Sequence, residues 1–336
     1  MSRRRQVFMN SDGRGIVLLS VAVHSLLKTN DPDKPLSLYI AHDRSFDEAG
    51  GARAIRDIVA RFPFATVTFL DYSPWQTWQG GAFHDMLWAF PLCEKILPPD
   101  LGGKILYIDI DMLIRRDLGP LFDIDLAGQG MIAAAVNERR REHRQYLIDA
   151  GWPEEAGYSF NNATCLVDLD AFRREHMTDR MVEWYLAHRD IAINTDQDSQ
   201  NMMYGAKTLR IPVKWNYTDG WLERIPHLNP FAKEWRVFPP RDVLEAALDP
   251  SIIHYIGTRK PTQWTHRPER RRFHRAMREL GLLTGDLPGE TPVRKLIARL
   301  FDGYHFLIRC YVRLLLATVV RRASASTGTA APGTAG

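Results

Sequence analysis

The chain has 336 residues, of which 45% are hydrophobic and 25% charged, so it can bury a large core and is neither a disordered segment nor a fibrous repeat. Lys and Arg number 44 against 40 Asp and Glu, a balance that leaves no nucleic-acid footprint; the arginine clusters Arg3-Arg4-Arg5, Arg139-Arg140-Arg141 and Arg270-Arg271-Arg272 read first as solvated faces or ion-pair partners. The 3 cysteines, Cys93, Cys165 and Cys310, are widely spaced with no CxxC, and no apolar leader follows the basic start, so reduced thiols in the cytosol are expected.

Along the chain, apolar runs alternate with helical periodicity. Residues 6–10 read as a strand, 14–28 as a helix, 36–41 as a strand, 47–61 as a helix and 65–70 as a strand. A helix over 83–97 then leads to a strand ending in Tyr107-Ile108-Asp109-Ile110-Asp111, with further strands over 130–136 and 164–169. The pattern predicts an α/β fold with a mostly parallel sheet that binds ligands at the carboxyl ends of its strands. Asn10-Ser11-Asp12 and the acidic pair both fall at that edge. No GxGxxG is present, which disfavours a dinucleotide-binding dehydrogenase.

On a strand, residues i and i+2 point the same way, so Asp109 and Asp111 present two carboxylates together while Ile110 faces the other side. That is half of a divalent-metal site of the kind that takes substrate phosphates, suited to Mg²⁺ or Mn²⁺. Taken alone, two acids at a strand end read first as a merely solvated pair. A DxD after an apolar strand also opens haloacid-dehalogenase-like phosphatases, but Met112-Leu113 stands where that motif has Gly with Thr or Val nearby.

Three later segments change the weighing: Phe160-Asn161-Asn162-Ala163, Asp196-Gln197-Asp198, and His254-Tyr255-Ile256-Gly257-Thr258-Arg259-Lys260-Pro261. With the DxD segment, in this order and spacing, they resemble glycosyltransferase family 8, the retaining family of bacterial lipopolysaccharide galactosyl- and glucosyltransferases and glycogenin. The resemblance runs from Gln6 to Trp264 and implies a Rossmann-like, nucleotide-sugar-binding GT-A fold over residues 1–290. It implies Mn²⁺ (or Mg²⁺) on Asp109, Asp111 and His254, and donor diphosphate on Gly257 and Lys260. Asn161, Asp196 and Gln197 would then line the transferred sugar, with Gln197 beside the anomeric carbon; Asn10, Ser11, Asp12, Ile110 and Asn162 would complete the donor site. A UDP-sugar donor and a glycan or glycolipid acceptor follow as partners. An amide is a poor nucleophile, so Gln197 points to same-face displacement, with Asp196 and Asp198 as the alternative nucleophiles. Several positions depart from the family pattern: Ser11, Gly13, Ala89-Phe90-Pro91 and Asn137 stand where the family has acidic, nucleoside-holding or basic residues. They leave nucleoside and acceptor choice open, and with them a catalytically silent sugar- or membrane-binding protein.

Tryptophans are numerous, and Trp215 or Trp221 is expected to wall an acceptor cleft by stacking on sugar rings. Residues 291–322 form a basic amphipathic helical region. On a wheel, Lys295, Arg299, Arg309 and Arg313 gather on one side and Ile297, Leu300, Tyr304, Ile308, Tyr311 and Leu315 on the other. The uncharged stretch after Arg313, Leu314 to Val320, is short against the ~20 residues a span requires, so a membrane-associating appendage lying on an anionic inner-leaflet surface is expected, ahead of an ordinary amphipathic helix packed on the body of the protein. Its removal should free the protein from membranes and spare the donor chemistry. Residues 323–336 are expected to be a disordered tail.

Overall fold

The computed structural model describes residues 4–126, 132–136, 148–149, 151–152, 159–219, 222, 239–257 and 260–327. The chain divides into two compact units, residues 1–211 with 275–284, and residues 212–274 with 285–336.

In the first unit β1 (Arg5–Ser11), β2 (Leu36–His42), β3 (Ala65–Asp71), β4 (Lys104–Ile108), β6 (Ile132–Val136), β7 (Phe160–Asp168) and β8 (Leu209–Arg210) form a 7-stranded sheet in the order β3-β2-β1-β4-β7-β6-β8. A short strand β5 (Met112–Ile114) follows the DxD. Strands β1 and β2 are apolar and buried on both faces, as a covered parallel sheet requires, whereas β3 at the edge alternates half-buried and exposed positions. β1 lies parallel to both β2 and β4, so the chain leaves β1 in opposite directions and opens a crevice at the ends of β1 and β4. β7 runs antiparallel to β4 and therefore begins at the edge where β4 ends. The main-chain N–H of Asp109 donates to the carbonyl of Ala163 (2.9 Å), extending that ladder to the first acid of the DxD.

The helices depart from expectation where glycine, proline and packing intervene. Asp12 caps a 3-10 turn over Gly13–Gly15 before α1 (Ile16–Thr29) begins. Residues 47–61 hold two helices, α2 (Arg44–Glu48) and α3 (Gly51–Val59), parted at Gly50, whose φ of 77° an L side chain rarely adopts. The long helix over 83–97 does not exist: a 3-10 turn over Met86–Ala89 and the single turn α4 (Cys93–Ile96) replace it. Asp85 caps the first turn and Pro91 prevents a continuous helix. Aromatic packing holds this segment instead, Phe90 stacking on Tyr107 at 4.2 Å and Phe83 meeting Trp88 edge-on at 4.6 Å. α5 (Leu169–Arg174), α6 (Met177–His188) and α7 (Thr195–Tyr204) complete the unit's helices between β7 and β8.

The second unit contains β9 (Tyr217–Thr218) parallel to β10 (Ile252–His254), α8 (Pro240–Leu248), and α10 (Pro292–Thr327). α9 (Arg270–Glu279) carries the chain across the division between units. By length and composition the stretch Pro292–Arg321 suffices to cross a bilayer, yet α10 packs along α8, and Ile308, Val312 and His305 on it are buried. Ile308 therefore does not share an exposed face with Leu300, Tyr304 and Tyr311. The helix has two apolar stripes, and a second, running from Val293 through Leu296, Leu300, Tyr304, Leu307, Tyr311 and Leu314, is open to solvent, Leu314 being 69% exposed. Arg309 leaves the expected basic side as well: its guanidinium pairs with the Glu269 carboxylate and donates to the carbonyl of Ala247 (2.9 Å). The helix continues to Thr327, through the first residues of the expected tail; 328–336 lie outside the described residues. Arginine clusters serve as ion-pair partners: Arg5 with Asp117, Arg270 and Arg271 with Asp302, Arg272 with Glu269. The cysteines are free thiols.

Candidate active site

At the crevice between β1 and β4, the Tyr107 hydroxyl bridges the two strand ends, 2.6 Å from Asp109 Oδ1 and 2.8 Å from Asn10 Oδ1. Asn10 turns its other end to the carbonyl of Met86 (2.8 Å), tying the aromatic segment to the same edge. Burial first, and the Asp109 charge second, push the Tyr107 hydroxyl well above its ordinary value, so it stays a donor that orients the carboxylate. Asp111 is buried, at 9% exposure, and Ile110 is half-buried. A Cβ on Gly15 would lie 2.4 Å from Ser11 Oγ and 2.5 Å from Ile110 Cδ1, so a larger residue there would displace side chains packed between the start of α1 and the DxD turn. Ser11 is buried with its hydroxyl on the Asp12 carbonyl (2.9 Å), and Asp12 spends its carboxylate on the N–H groups of Arg14 and Gly15.

The start of β7 meets the start of α7. Asn162 Nδ2 donates to Asp196 Oδ2 at 2.6 Å, and Asn161 Nδ2 to Gln197 Oε1 at 3.0 Å. The main-chain N–H of Asn162 also lies 3.4 Å from that oxygen, which sets the orientation of the Gln197 amide. Its Nε2 is buried with no hydrogen-bond partner among the described residues. Asn201, one turn on, bonds both N–H and C=O of Phe160 (2.8 and 3.1 Å) and so clamps α7 to β7. Asp196 is a buried carboxyl: desolvation lifts it to about 7, against the Asn162 hydrogen bond and with the help of the Asp109 charge. Asn194 occupies the N-cap position of α7 without a side-chain capping bond, and Asp198 Oδ2 accepts from the N–H groups of Ile193 (3.1 Å) and Asn194 (2.8 Å), closing the turn.

In the second unit His254 ends β10, buried, with Nδ1 2.9 Å from Asn216 Oδ1; donation from Nδ1–H leaves the lone pair on Nε2. Gly257 has φ 87°, so the main chain turns there as a bulkier residue could not. Lys260 Nζ donates to the Tyr255 carbonyl (3.0 Å).

Tyr107, Asn201 and Asn216 are supporting residues that the sequence reading missed. Tyr107 carried a signal, since it stands two residues before Asp109 on one face of a strand; Asn216 carried none, its partner being distant in sequence. Trp215 is buried under Lys214, at 5.4 Å, and so does not wall an open cleft. Trp221, Asn137, Arg139-Arg140-Arg141, Thr258 and Arg259 lie outside the described residues.

Comparison with known proteins agrees with this geometry. The family model for glycosyl transferase family 8 matches residues 95–266. A lipopolysaccharide 1,2-glucosyltransferase of Escherichia coli (strain K12) is 25% identical over 189 residues, 55% of this chain and 50% of that protein. General stress protein A of Bacillus subtilis (strain 168) is 22% identical over 160 residues, 47% of this chain and 52% of that protein. The chain thus spans about half the length of these relatives. The solved galactosyltransferase LgtC, in complex with donor and acceptor sugar analogs, has the same fold, with a TM-score of 0.65 at 23% identity over 86% of this chain and 99% of that one. With the model covering more than half of its length, the chain belongs to glycosyltransferase family 8.

Proposed function

We propose that the protein is a metal-dependent, retaining hexosyltransferase that moves galactose or glucose from a UDP-sugar to a glycan or glycolipid acceptor in lipopolysaccharide or surface-polysaccharide synthesis. The observation that carries this reading is the meeting of Asn161 and Asn162 with Gln197 and Asp196 at the sheet edge where the Asp109 strand ends. Polar side chains fixed by one another at a ligand-binding edge suit the many hydroxyls of a sugar.

Asp109 and Asp111 with His254 are a hard oxygen and nitrogen donor set that fits Mn²⁺ or Mg²⁺, and the negative charge with which Asp109 lifts Asp196 and Tyr107 is what a cation offsets. When bound, the cation supplies neutralisation of the charge that develops on the departing diphosphate. Lys260 adds an ammonium to the same charge, and Gly257 allows main-chain N–H groups to approach it. Tyr107 holds Asp109 in one orientation throughout. The Gln197 carbonyl oxygen, the amide's one nucleophilic atom, is taken by Asn161 and Asn162, while Nε2 is available as a donor to the sugar. That arrangement supports same-face displacement over attack by Gln197, and the turn-closing bonds of Asp198 count against it as a nucleophile.

The exposed stripe of α10, with the exposed Arg299 and Arg313 beside it, suits the headgroup layer of an anionic membrane at its cytoplasmic face. The packing of the other face on α8 argues for a helix lying in that surface.

Asp109→Asn and Asp111→Asn test the metal chemistry. Each is expected to lower turnover by at least a hundredfold, on the order of 3 kcal/mol of transition-state stabilisation, with little change in Tm. A chelator-resistant activity, or a double variant working at full rate, would contradict it.

A further inference from the structure

Resting on the reading of residues 254–261 as the donor-diphosphate loop, we propose that Glu269 and Arg309 are positioning residues for that loop, so that α10 is a clamp on donor binding as well as a surface for lipid. The loop is pinned at its described residues. Tyr255, fully buried with its ring edge-on to Phe273 at 5.3 Å, donates its hydroxyl to the Glu269 carbonyl (3.1 Å). Its own carbonyl receives Lys260 Nζ (3.0 Å). Arg267 donates to the Ile256 carbonyl (2.6 Å) while pairing with buried Asp219 (2.7 Å), and His274 Nε2 meets the Pro261 carbonyl (2.8 Å).

Among these supports Glu269 is the unusual one. Its φ of 63° is left-handed, a conformation that costs a non-glycine residue energy and persists only where its surroundings impose it. That backbone aims the carbonyl at Tyr255. Two arginines hold the nearly inaccessible carboxylate: Arg272, three residues on, and Arg309, from the middle of α10. Arg272 shares the local backbone, so Arg309, anchored also on Ala247 in α8, is the long-range restraint on Glu269 among the described residues. Losing it would let Glu269 relax toward an ordinary conformation and withdraw the acceptor of the Tyr255 hydroxyl. Tyr255 stands directly after His254 and carries the carbonyl on which Lys260 rests, so both would lose their fixed backbone.

The test is the affinity of the full chain for UDP with Mn²⁺, by titration calorimetry, alongside steady-state kinetics and Tm. Tyr255→Phe keeps the ring on Phe273 and removes one hydrogen bond; UDP affinity should fall roughly three- to tenfold and donor KM rise in step, with kcat at saturating donor held within about twofold. Arg309→Met should do the same, and Arg309→Lys, which retains a charge for Glu269, should recover most of the loss. A role in stability alone would lower Tm and leave UDP affinity unchanged, and unchanged affinity in Tyr255→Phe overturns the proposal. Should Arg309→Met not fold, Tyr255→Phe alone decides. If instead the wild-type chain binds no UDP with Mn²⁺, the reading of the loop itself has failed.

Discussion

Buried polar groups explain most of what this site does at the level of single residues. Gln197 and Asp196 are adjacent on one helical turn, yet one is a neutral amide held by its oxygen and the other a carboxyl that burial lifts to about 7. If Gln197 faces the anomeric carbon, Gln197→Ala should lower kcat much more than it raises donor KM, because its contact is made mainly in the transition state. A change confined to KM would make it a binding residue. Asp196 gives a separate, thermodynamic expectation. Its folded pKa lies above the unfolded value of 3.8, so the native state keeps a proton that the unfolded chain has released between pH 4 and about 7. Stability of the metal-free protein should therefore fall as pH rises through that window, by about 1.4 kcal/mol per pH unit of the shift, and Asp196→Asn should flatten the slope. Urea melts at several pH values measure this; identical slopes in the two proteins would show that Asp196 ionises normally. The acidic pair and the amide-rich motif were legible in the sequence because strand periodicity and short motifs act locally. Asn216 and Asn201 were not, since their partners His254 and Phe160 are brought to them only by the fold.

At the level of elements, local pattern succeeded for strands and failed where two faces compete. β1, β2 and β3 begin and end within a residue or two of the expected positions, since continuous β-branched and apolar runs bounded by Asn, Asp and Pro have one reading. The helix expected over 83–97 was lost to Pro91 and to ring packing that periodicity does not register. α10 shows the limit most clearly. A wheel identifies apolar positions but does not say which stripe is buried, and here Ile308 and Val312 are buried while Leu300, Leu307 and Leu314 remain outside. The consequence reverses one expectation. Cutting the chain at residue 290 would take Arg309 from Glu269, which keeps Arg272, and Asp302 from Arg270, and would strip α10 from α8, so truncation should damage the fold along with any lipid binding. Substitution on the open stripe separates the two effects. Leu300→Glu with Leu307→Glu should abolish co-sedimentation with anionic vesicles and leave Tm within a few degrees of wild type. Retained vesicle binding in a folded double variant would remove the stripe from the account.

For the whole molecule, the division at residues 211 and 212 places the DxD and the Gln197 helix in one unit, and His254 with Lys260 in the other. Under the proposed function each unit would carry part of what donor chemistry needs: carboxylates and an amide in the first, an imidazole and an ammonium in the second. Ser11 and Ala89 are both buried in the first unit, and a donor panel tests the nucleoside choice that the proposed function would leave to it. Metal-dependent release of nucleoside diphosphate from UDP-glucose, UDP-galactose and other nucleotide sugars, with and without Mn²⁺ and with Asp109→Asn as control, tests the central claim most directly. The account predicts UDP release from a UDP-hexose that requires Mn²⁺ and is absent in the variant; hydrolysis yielding inorganic phosphate, or no release from any donor by the metal-loaded wild-type protein, would contradict it.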